Sequence, residues 1–335
     1  MNYYFMENSR PTAPADQLFS GVIQRDAIED MAGAVRNFFD LEAVQLEPGA
    51  CRCKIEFIAA GSVFFYREHY PLRTHLTGEL LHNRFGFAVP VQGPSLKFSG
   101  EEMDRCRLAS AMTGEQMEVF APGGLKQFVV LMDHAQLLSL ADTAGLPTEV
   151  QRALRPGRPG MPLVSKPRAV AALSQRLQQL LRLAAIGELE ADAAYVEDWV
   201  YAQALAVLDV KDAPAGRPSA AVLVRRAVEA TEAYGGPVRV AHLCRTLRVS
   251  PGTLENAFKV VAGVTPHTFF LRRRLSQVRE VLLREDPLER RVTEIATEFG
   301  FSELGRFSVR YREMFGEKPS ETLRRSAVTK VSLAR

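Results

Sequence analysis

The most constraining feature of the sequence is a repeat in its last hundred residues. The copy from Arg239 to Gly263 and the copy from Arg291 to Gly316 carry apolar residues at matching positions, 52 residues apart before a short turn and 53 apart after it. Leu243, for example, matches Ile295. Self-similarity at a fixed spacing indicates two copies of one supersecondary unit.

Each copy has the pattern of two short helices joined by a tight turn. In the first copy, apolar residues fall at i, i+3, i+4 and i+7 from Val240, which is the spacing of one helical face. Ser250 then stands where an N-cap is expected, Pro251 occupies the first helical position, and Gly263 lies near the C-cap. Two such helices bury only their facing stripes, so the outer face of the second helix is free to enter a major groove.

The second helix of each copy is called a reader helix below. A pair of helical hairpins in some other bundle is the alternative, but two capped copies joined by the basic helix from Pro266 to Leu283 favour double-stranded DNA as the partner. The side of this linker helix opposite its apolar stripe is predicted to carry Arg272, Arg273 and Arg279. The outward residues, and hence the candidate DNA contacts, are Gly252, Thr253, Glu255, Asn256 and Lys259 in the first reader and Gly305, Arg306, Val309, Arg310 and Arg312 in the second.

The last hundred positions resemble the AraC/XylS family of bacterial transcription regulators. The matching features are the paired helix-turn-helices, the linker PHTFFLRRRLSQVREVLL, the turn at residues 300–302, and Phe315-Gly316-Glu317-Lys318-Pro319 followed by Arg324 and Arg325. The resemblance implies two recognition helices, held apart by a rigid linker helix, that read successive major-groove segments, and it implies RNA polymerase as a further partner. It places base contacts at Gly252, Glu255, Asn256, Gly305, Arg306 and Val309.

The second reader departs from the family pattern at two points. Glu303 holds the cap position where Ser is common, and Val309-Arg310 stands in the order opposite to the common Arg-Val. A carboxylate suits a helix N-terminus but lies awkwardly beside phosphates. Arg310 therefore fits a phosphate contact or an apolar-stem role better than a base edge, while Arg306 remains a candidate for guanine.

Charge is distributed unevenly along the 335 residues. From Arg217 onward there are 22 Lys and Arg against 13 Asp and Glu, whereas residues 1–216 hold 20 against 26. A basic half joined to an acidic half is expected when only one half meets a polyanion. The sequence predicts a sensor and dimerisation domain over 1–210, a Pro-rich linker over 211–219, and a double helix-turn-helix domain over 220–326.

The N-terminal domain is predicted to be an antiparallel sandwich or barrel over about 41–133, preceded by a polar lead-in and one helix containing Ile28 and Met31. Short segments rich in Val, Ile and Phe are divided by Gly or Pro in this range, which is typical of such folds. The resemblance implies a jelly-roll sensor here, so the fold class expected for the whole chain is α+β. The predicted strands are Cys51 to Ala59, Ser62 to Glu68, Arg84 to Val91, Gln116 to Phe120 and Leu125 to Met132.

Helices are predicted over about 134–210, and their apolar surface exceeds what one hairpin needs. One stripe contains Leu173, Leu177 and Leu181, and the other contains Tyr195 and Trp199. We expect these helices to dock on the barrel, on a second subunit, or on both. The sequence thus predicts a homodimer through this hairpin, with a purely internal core as the alternative.

Several classes of site and location are disfavoured. No stretch approaches the ~20 apolar residues of a membrane span and no signal peptide opens the chain, so a cytoplasmic protein without a membrane partner is expected. His69, His75 and His82 lie close in sequence, but the His-x-His pair of cupin metal sites is absent. The Pro-Cys-His-Arg nucleophile of the alkyl-transfer repair domains found fused to some family members is absent as well. No metal, cofactor or catalytic residue is therefore predicted.

An unknown small-molecule effector is the remaining expected partner. The run from Phe64 to Pro90 is similar to the sensor of the ethanolamine-utilisation regulator of the same family, although this does not fix the ligand. Arginines alternate there with aromatic residues and could line a pocket for a small anionic or polar ligand, or they could be exposed arginines beside core aromatics. The candidate effector-binding residues are Tyr66, Arg67, Arg73, Arg84, Phe85 and Phe87.

The function expected from these patterns is sequence-specific control of transcription, switched by an effector in the N-terminal domain. A constitutive DNA-binding regulator whose barrel only dimerises is the first alternative. A barrel enzyme with a DNA-binding tail is the second.

Overall fold

A computed structural model describes residues 17–103, 107–146, 148, 151, 154–155, 163–164, 167–189, 192–208, 220–234, 240–286 and 289–325. The linker predicted over 211–219 lies outside the described residues. In chain order the strands are β1 (Leu18–Arg25), β2 (Phe39–Gln45), β3 (Cys53–Ala60), β4 (Val63–Tyr70), β5 (Thr74–Leu80), β6 (Arg84–Gln92), β7 (Lys97–Phe98), β8 (Glu101–Glu102), β9 (Arg107–Met112), β10 (Gln116–Ala121), β11 (Leu125–Asp133) and β12 (Leu163–Val164).

The helices in the described part of the chain fall into two groups, one before residue 210 and one after residue 219. They are α1 (Ile28–Ala34), α2 (His134–Thr143), α3 (Pro167–Ile186), α4 (Ala193–Val207), α5 (Ala220–Tyr234), α6 (Val240–Leu247), α7 (Pro251–Ala262), α8 (Pro266–Arg284), α9 (Val292–Glu298) and α10 (Leu304–Phe315), followed by α11 at residues 319–325. The two reader helices are α7 and α10, and the linker helix between the two units is α8.

The strands form two antiparallel sheets. The larger sheet has the order β1-β3-β4-β11-β6-β9-β12 and the smaller has the order β2-β5-β10-β7-β8. All five predicted strands are present, and the predicted fold class, an antiparallel β domain followed by a helical double helix-turn-helix domain, is confirmed. The lead-in before α1 was predicted without a strand, but residues 18–25 pair with β3 along the edge of the larger sheet.

Side-chain alternation gives the larger sheet two apolar faces. On β4, Phe64 and Tyr66 point between the two sheets, where they join a core built from both, while Val63 and Phe65 point to the opposite face. That opposite face is covered by α2, α3 and α4. The hairpin helices therefore dock on the barrel, which is one of the arrangements expected for them. Contact with a second subunit stays a prediction.

The burial of α4 differs from the predicted stripe. Its buried side contains Val196, Val200 and Ala204, whereas Tyr195 is 63% exposed and Trp199 is only partly buried. The predicted positions therefore lie on the outer side of the helix, because the sheet selects the neighbouring apolar face of a helix that is apolar nearly all round.

The smaller sheet carries the helical domain on its outer face. Val44 and Leu46 of the β2 region and Phe120 of β10 share a core with α5, α6, α7 and Phe269 of α8. The C-terminal half of α8 packs with α9 and α10 in a separate core. Among the described helices, none combines the length and apolar character that a membrane crossing needs.

Candidate nucleic-acid interface and sensor cavity

The first reader helix begins at a side-chain cap. Oγ of Ser250 accepts a hydrogen bond from the backbone N–H of Thr253 at 3.1 Å, and Pro251 follows at the first helical position. The helix ends at Gly263, whose φ of 71° is left-handed. These are the cap, start and stop that the sequence predicted, and they fix the length of the helix.

The second reader has the same end but a different start. Gly316 closes it with a φ of 75°, matching Gly263. Glu303 occupies the N-cap position, as predicted, but its side chain makes no cap hydrogen bond. Its carboxylate instead lies 2.9 Å from a guanidinium nitrogen of Arg306, one turn along the helix.

The turns inside the two copies share one backbone conformation. Arg248 in the first turn has a φ of 56° and Gly300, its match in the repeat, has a φ of 77°. The next backbone N–H in each turn bonds back into the first helix at 3.0 Å, from Val249 to Cys244 and from Phe301 to Ala296. The repeat found in the sequence is thus also a repeat of backbone geometry.

The outer faces of both reader helices are open. Inward residues such as Leu254, Phe258, Phe307 and Tyr311 are buried, with exposures of 0–2%. All ten predicted DNA contacts are exposed: Gly252, Thr253, Glu255, Asn256, Lys259, Gly305, Arg306, Val309, Arg310 and Arg312.

Each outer face holds a short-range ion pair. Nζ of Lys259 lies 2.7 Å from Glu255 on the first reader, and Arg306 pairs with Glu303 on the second. Exposed pairs of this kind contribute little to stability, typically 0–1 kcal/mol. Both cations are therefore held in place at low cost and can exchange their partners for a polyanion.

The linker helix does not present the free cationic face that its sequence predicted. Arg272, Arg273 and Arg279 were placed on the side opposite its apolar stripe, yet Arg273 and Arg279 are 6% and 1% exposed. The guanidinium of Arg272 donates a hydrogen bond to the backbone carbonyl of Leu46. Acidic and carbonyl oxygens of the β domain thus cover a face that looks solvated when the helix is considered alone.

Arg273 is held by acids from both domains. Its Nε donates to Oε1 of Glu42 on β2 at 2.9 Å, and a terminal nitrogen lies 2.5 Å from Glu232 on α5. Burial alone would lower the pKa of Arg273, but these carboxylates outweigh it and raise the pKa. Gln277, one turn further on, also donates to Glu42 at 3.0 Å.

Arg279 anchors the far half of the linker helix. It donates to Glu317 at 2.9 Å and to the backbone carbonyl of Asp26 at 3.2 Å, and it lies 3.8 Å from Glu29 of α1. Its guanidinium also stacks over the ring of Phe315, 4.4 Å from the centroid. Burial would lower its pKa, but the nearby carboxylates raise it.

A cavity, called the sensor cavity below, lies between the two sheets. It leaves about 90 Å³ for the centre of a water-sized sphere. Its wall is mostly apolar and comes from α1, the strands of both sheets and the segment before β7. The described residues that line it include Ile28, Met31, Ala32, Phe39, Leu41, Tyr66, Glu68, Tyr70, Phe87, Leu96, Phe98, Ala109, Gln127, Val129 and Leu131.

Two of the predicted effector-binding residues, Tyr66 and Phe87, belong to the cavity lining, but the side chain of Phe87 joins the core beneath α2–α4, so only Tyr66 directs its ring between the sheets. The other four lie outside its lining. Arg67 pairs with Glu56 on the other side of the larger sheet, and Phe85 points into the core beneath α2–α4. The remaining two, Arg73 and Arg84, donate to the backbone carbonyls of Ala262 and Ser62 at 3.4 and 2.7 Å.

Sequence reasoning missed the polar centre of the cavity wall. Glu68 of β4 and Gln127 of β11 face each other across adjacent strands, and Nε2 of Gln127 donates to Oε1 of Glu68 at 2.6 Å. The signal was present, because Glu68 stands in the inward phase of Phe64 and Tyr66. Burial raises the pKa of Glu68 to about 7.

The three histidines considered in the sequence have separate environments. His75 is buried, with Nε2 3.1 Å from Glu118 and its ring stacked on Phe120. His69 lies on the outer side of β4, and His82 occupies a left-handed turn with a φ of 60°. Within the part of the chain that the structure describes, no cluster of three His, Cys, Asp or Glu side chains is placed to hold a metal ion.

Comparison with known proteins places relatives at the C-terminal domain. A family model described as "Helix-turn-helix domain" matches residues 243–325. The chain is 39% identical over 109 residues to a probable thc operon regulatory protein of Rhodococcus erythropolis, covering 32% of this chain and 33% of that protein. It is 40% identical over 87 residues to the XylDLEGF operon transcriptional activator of Pseudomonas putida, covering 26% and 27%.

One solved structure spans the same region. A probable AraC family transcriptional regulator from Rhodopseudomonas palustris is 37% identical, covering 31% of this chain and 97% of that one, with a TM-score of 0.29. The chain covers about a third or less of the length of the two curated relatives. The chain therefore carries a helix-turn-helix domain over residues 243–325 and is similar to transcription regulators of the AraC/XylS family.

Proposed function

We propose that the protein is a DNA-binding transcription regulator controlled by a small molecule in the sensor cavity. The proposal rests mainly on one observation. Two elements that line the cavity, α1 and β2, also contact α8, the linker helix that joins the two reader helices. The related proteins are regulators by name, and we propose that this chain likewise acts by binding and not by catalysis.

DNA recognition would use two kinds of contact: contacts to phosphates, which position the protein on the duplex, and contacts to bases, which select the sequence. Exposed cations on and near the readers, such as Lys259 and Arg310, would contact phosphates and give affinity that falls with salt. Arg306 has the donor geometry for guanine, and Asn256 has that for adenine. Each good base contact adds roughly 1–3 kcal/mol of discrimination.

Helix α1 is the first route from the cavity to the readers. Ile28 and Met31 line the cavity, while Glu29, on the intervening side, lies 3.8 Å from Arg279 of the linker helix. Burial raises the pKa of Glu29, and Arg279 only partly opposes this. A ligand that shifts α1 would therefore disturb a closely balanced buried pair.

Strand β2 is the second route. Leu41 lines the cavity, and the next residue, Glu42, points to the other face and binds Arg273. Further along, the backbone N–H of Gln45 donates to Oγ of Ser276 at 3.2 Å. Because successive strand residues face opposite sides, a displacement of β2 by a ligand would be felt directly by α8.

The ligand can control DNA binding only if it has different affinity for two arrangements of the domains. The docked arrangement seen here would be one of them. The constitutive alternative predicts that occupation of the cavity leaves DNA affinity unchanged. A barrel enzyme with a DNA-binding tail is the less favoured alternative, and turnover by the purified chain would revive it.

A homodimer and contact with RNA polymerase complete the proposal. The dimer is supported by the outer side of α4, where Tyr195 is 63% exposed and Ala202 and Ala206 are exposed beside it. A helix that is apolar on both sides is usually covered on both. Sedimentation equilibrium tests it, since a monomer at micromolar concentration, with and without DNA, would rule the dimer out.

The DNA-binding part of the proposal is tested by selecting binding sites from random duplexes and comparing variants on the selected site. Arg306→Ala should weaken binding by about 1–3 kcal/mol. Glu303→Gln should strengthen binding, because it frees Arg306 and removes a charge near phosphate. Arg182→Ala, an exposed position on α3, is the matched control and should change nothing.

Effector control is tested by thermal denaturation of the full chain against a collection of small molecules. A compound that stabilises the wild type should fail to stabilise Ala109→Phe, which fills the cavity wall, and should change affinity for the selected DNA. If no compound stabilises the protein, or if a stabilising compound leaves DNA affinity unchanged, the constitutive alternative is favoured.

A further inference from the structure

The chemistry of the sensor cavity narrows the class of its ligand, an inference that rests on the proposed effector function. Most of the wall is hydrocarbon, and its polar groups are concentrated on the two adjacent strands β4 and β11. Along β4 the inward row is Phe64, Tyr66, Glu68 and Tyr70, and Gln127 pairs with Glu68 from β11. A carboxylate is thus placed among aromatic rings.

The hydrogen bonds made to Glu68 come from uncharged donors. Nε2 of Gln127 donates to it at 2.6 Å, and the hydroxyl of Tyr70 donates as well. Burial is the largest influence on this carboxyl group and raises its pKa to about 7, and the two donors only partly oppose it. When Glu68 is ionised at neutral pH, its hydrogen-bond donors therefore supply no positive charge to balance the carboxylate.

Gln127 offers a second acceptor at the same place. The side chain is 4% exposed, and its Oε1 atom receives no hydrogen bond from the residues that the structure describes. A buried carbonyl oxygen without a donor is destabilising, so such an atom usually has a partner in the functional state. Glu68 and Gln127 therefore present acceptors to whatever enters the cavity.

The basic side chains of the cavity wall lie on the other side of the sheet, and burial lowers the pKa of His69, which favours its neutral form. Lys54 and His69 belong to the same wall but occupy the strand positions that alternate with the inward row. Nζ of Lys54 lies 3.0 Å from Glu56, which also binds Arg67. An anionic ligand would find a carboxylate and a carbonyl oxygen in the cavity, and both would repel it.

The ligand's body is limited by volume. The cavity, with about 90 Å³ for the centre of a water-sized sphere, is smaller than the ~150 Å³ apolar cavity that accepts benzene, so a body with one ring is an upper limit and requires the wall to widen slightly. We propose that the sensor cavity takes a compact, mainly apolar molecule that carries a protonated amine, with the ammonium group donating to Glu68 and Gln127. The ammonium supplies the missing charge and donors, and the apolar body fills the rest of the wall.

Three probes with one ring and different head groups test this on the full chain: benzylamine, benzyl alcohol and benzoate. Calorimetric titration of the wild type should show benzylamine binding at least about tenfold more tightly than benzoate, a difference of about 1.4 kcal/mol. The affinity for benzylamine should fall as the pH drops below about 7, because Glu68 must lose its proton. Tyr66, Tyr70 and Cys53 face the same carboxyl group. Burial raises the pKa values of the two tyrosines, and a hydrogen bond with Cys51 together with burial raises the pKa of Cys53, so all three stay neutral in this range.

Variants separate the ligand class from the sensing function. Glu68→Gln should abolish the preference for the amine and its pH dependence while leaving benzyl alcohol within about threefold, and Gln127→Leu should weaken only the amine. Glu56→Gln, one strand away on the outer side, is the control and should bind all three probes as the wild type does.

Benzoate binding as tightly as benzylamine would overturn the ligand class but leave effector sensing intact. Binding of none of the three would count against the sensor cavity itself, and so against the proposed function.

Discussion

Nε of Arg273 on the linker helix donates a hydrogen bond to Oε1 of Glu42 on β2, across 2.9 Å and 231 residues of sequence. The preceding residue, Leu41, lines the sensor cavity. One strand therefore contacts the candidate effector with one residue and the DNA-binding half with the next.

Removing this contact should loosen the two domains. Glu42→Gln takes one acid from the buried guanidinium of Arg273, but Glu232 still pairs with it. We expect a loss of about 1–2 kcal/mol in the free energy of unfolding, below the 3–5 kcal/mol of a pair with no remaining partner. Urea denaturation measures it, with Glu56→Gln as a control that breaks only an outer pair. Equal stability of the two variants would mean that the interdomain pair contributes nothing.

The inward aromatic residues of the reader helices should stabilise the fold and should not contact bases. Phe258→Ala and Phe307→Ala remove buried rings and should each cost roughly 3–5 kcal/mol. Val309→Ala on the same helix as Phe307 is the control, because Val309 is 57% exposed, and it should cost less than about 0.5 kcal/mol. Retained operator affinity in folded Phe258→Ala would show that α7 is misplaced.

The matched turns predict that introducing glycine at one left-handed position and removing it at the other have opposite effects on stability. Arg248→Gly should stabilise the first copy by about 0.5–1 kcal/mol, because Arg248 holds a left-handed φ of 56° that glycine adopts without strain. Gly300→Ala should destabilise the second copy by a similar amount for the converse reason. Thermal denaturation of both variants measures this, and a destabilised Arg248→Gly would contradict the shared geometry.

Glu68 should make stability depend on pH. Its pKa is about 7 in the folded chain and near the ordinary value of 4.5 in the unfolded chain, so the folded state holds the proton more tightly. The stabilisation is complete below about pH 4.5 and is lost as the pH rises through 7. Glu68→Gln should match the wild type near pH 5 and exceed it near pH 8 by on the order of 1–3 kcal/mol. An equal difference at both pH values would show that Glu68 is not the group responsible.

The sequence predicted local structure well wherever one segment decides its own conformation. Ser250, Pro251 and Gly263 mark the ends of α7 through the caps they form themselves. The five predicted strands follow from short apolar runs between turn residues. Leu18–Arg25 was missed because its pattern is mixed and its partners on β3 lie 28 to 42 residues further along the chain.

Sequence reasoning failed where the deciding partner is distant. A basic face on α8 is typical of a solvated or DNA-facing helix, and nothing within that helix shows that Glu42 and Glu29 will cover Arg273 and Arg279. The effector prediction differs from the lining of the cavity for a related reason. It favoured arginines as ligand groups, although strand alternation places Glu68, and not Arg67, between the sheets.

The most direct test of the central claim is a footprint and site selection on duplex DNA with the wild type, Asn256→Ala and Arg306→Ala. Two readers predict a bipartite site whose halves lie about one helical turn, roughly 10 base pairs, apart. Asn256→Ala should relax sequence preference in one half only, and Arg306→Ala in the other half only. A single protected segment, or loss of preference in the same half by both variants, would contradict the account.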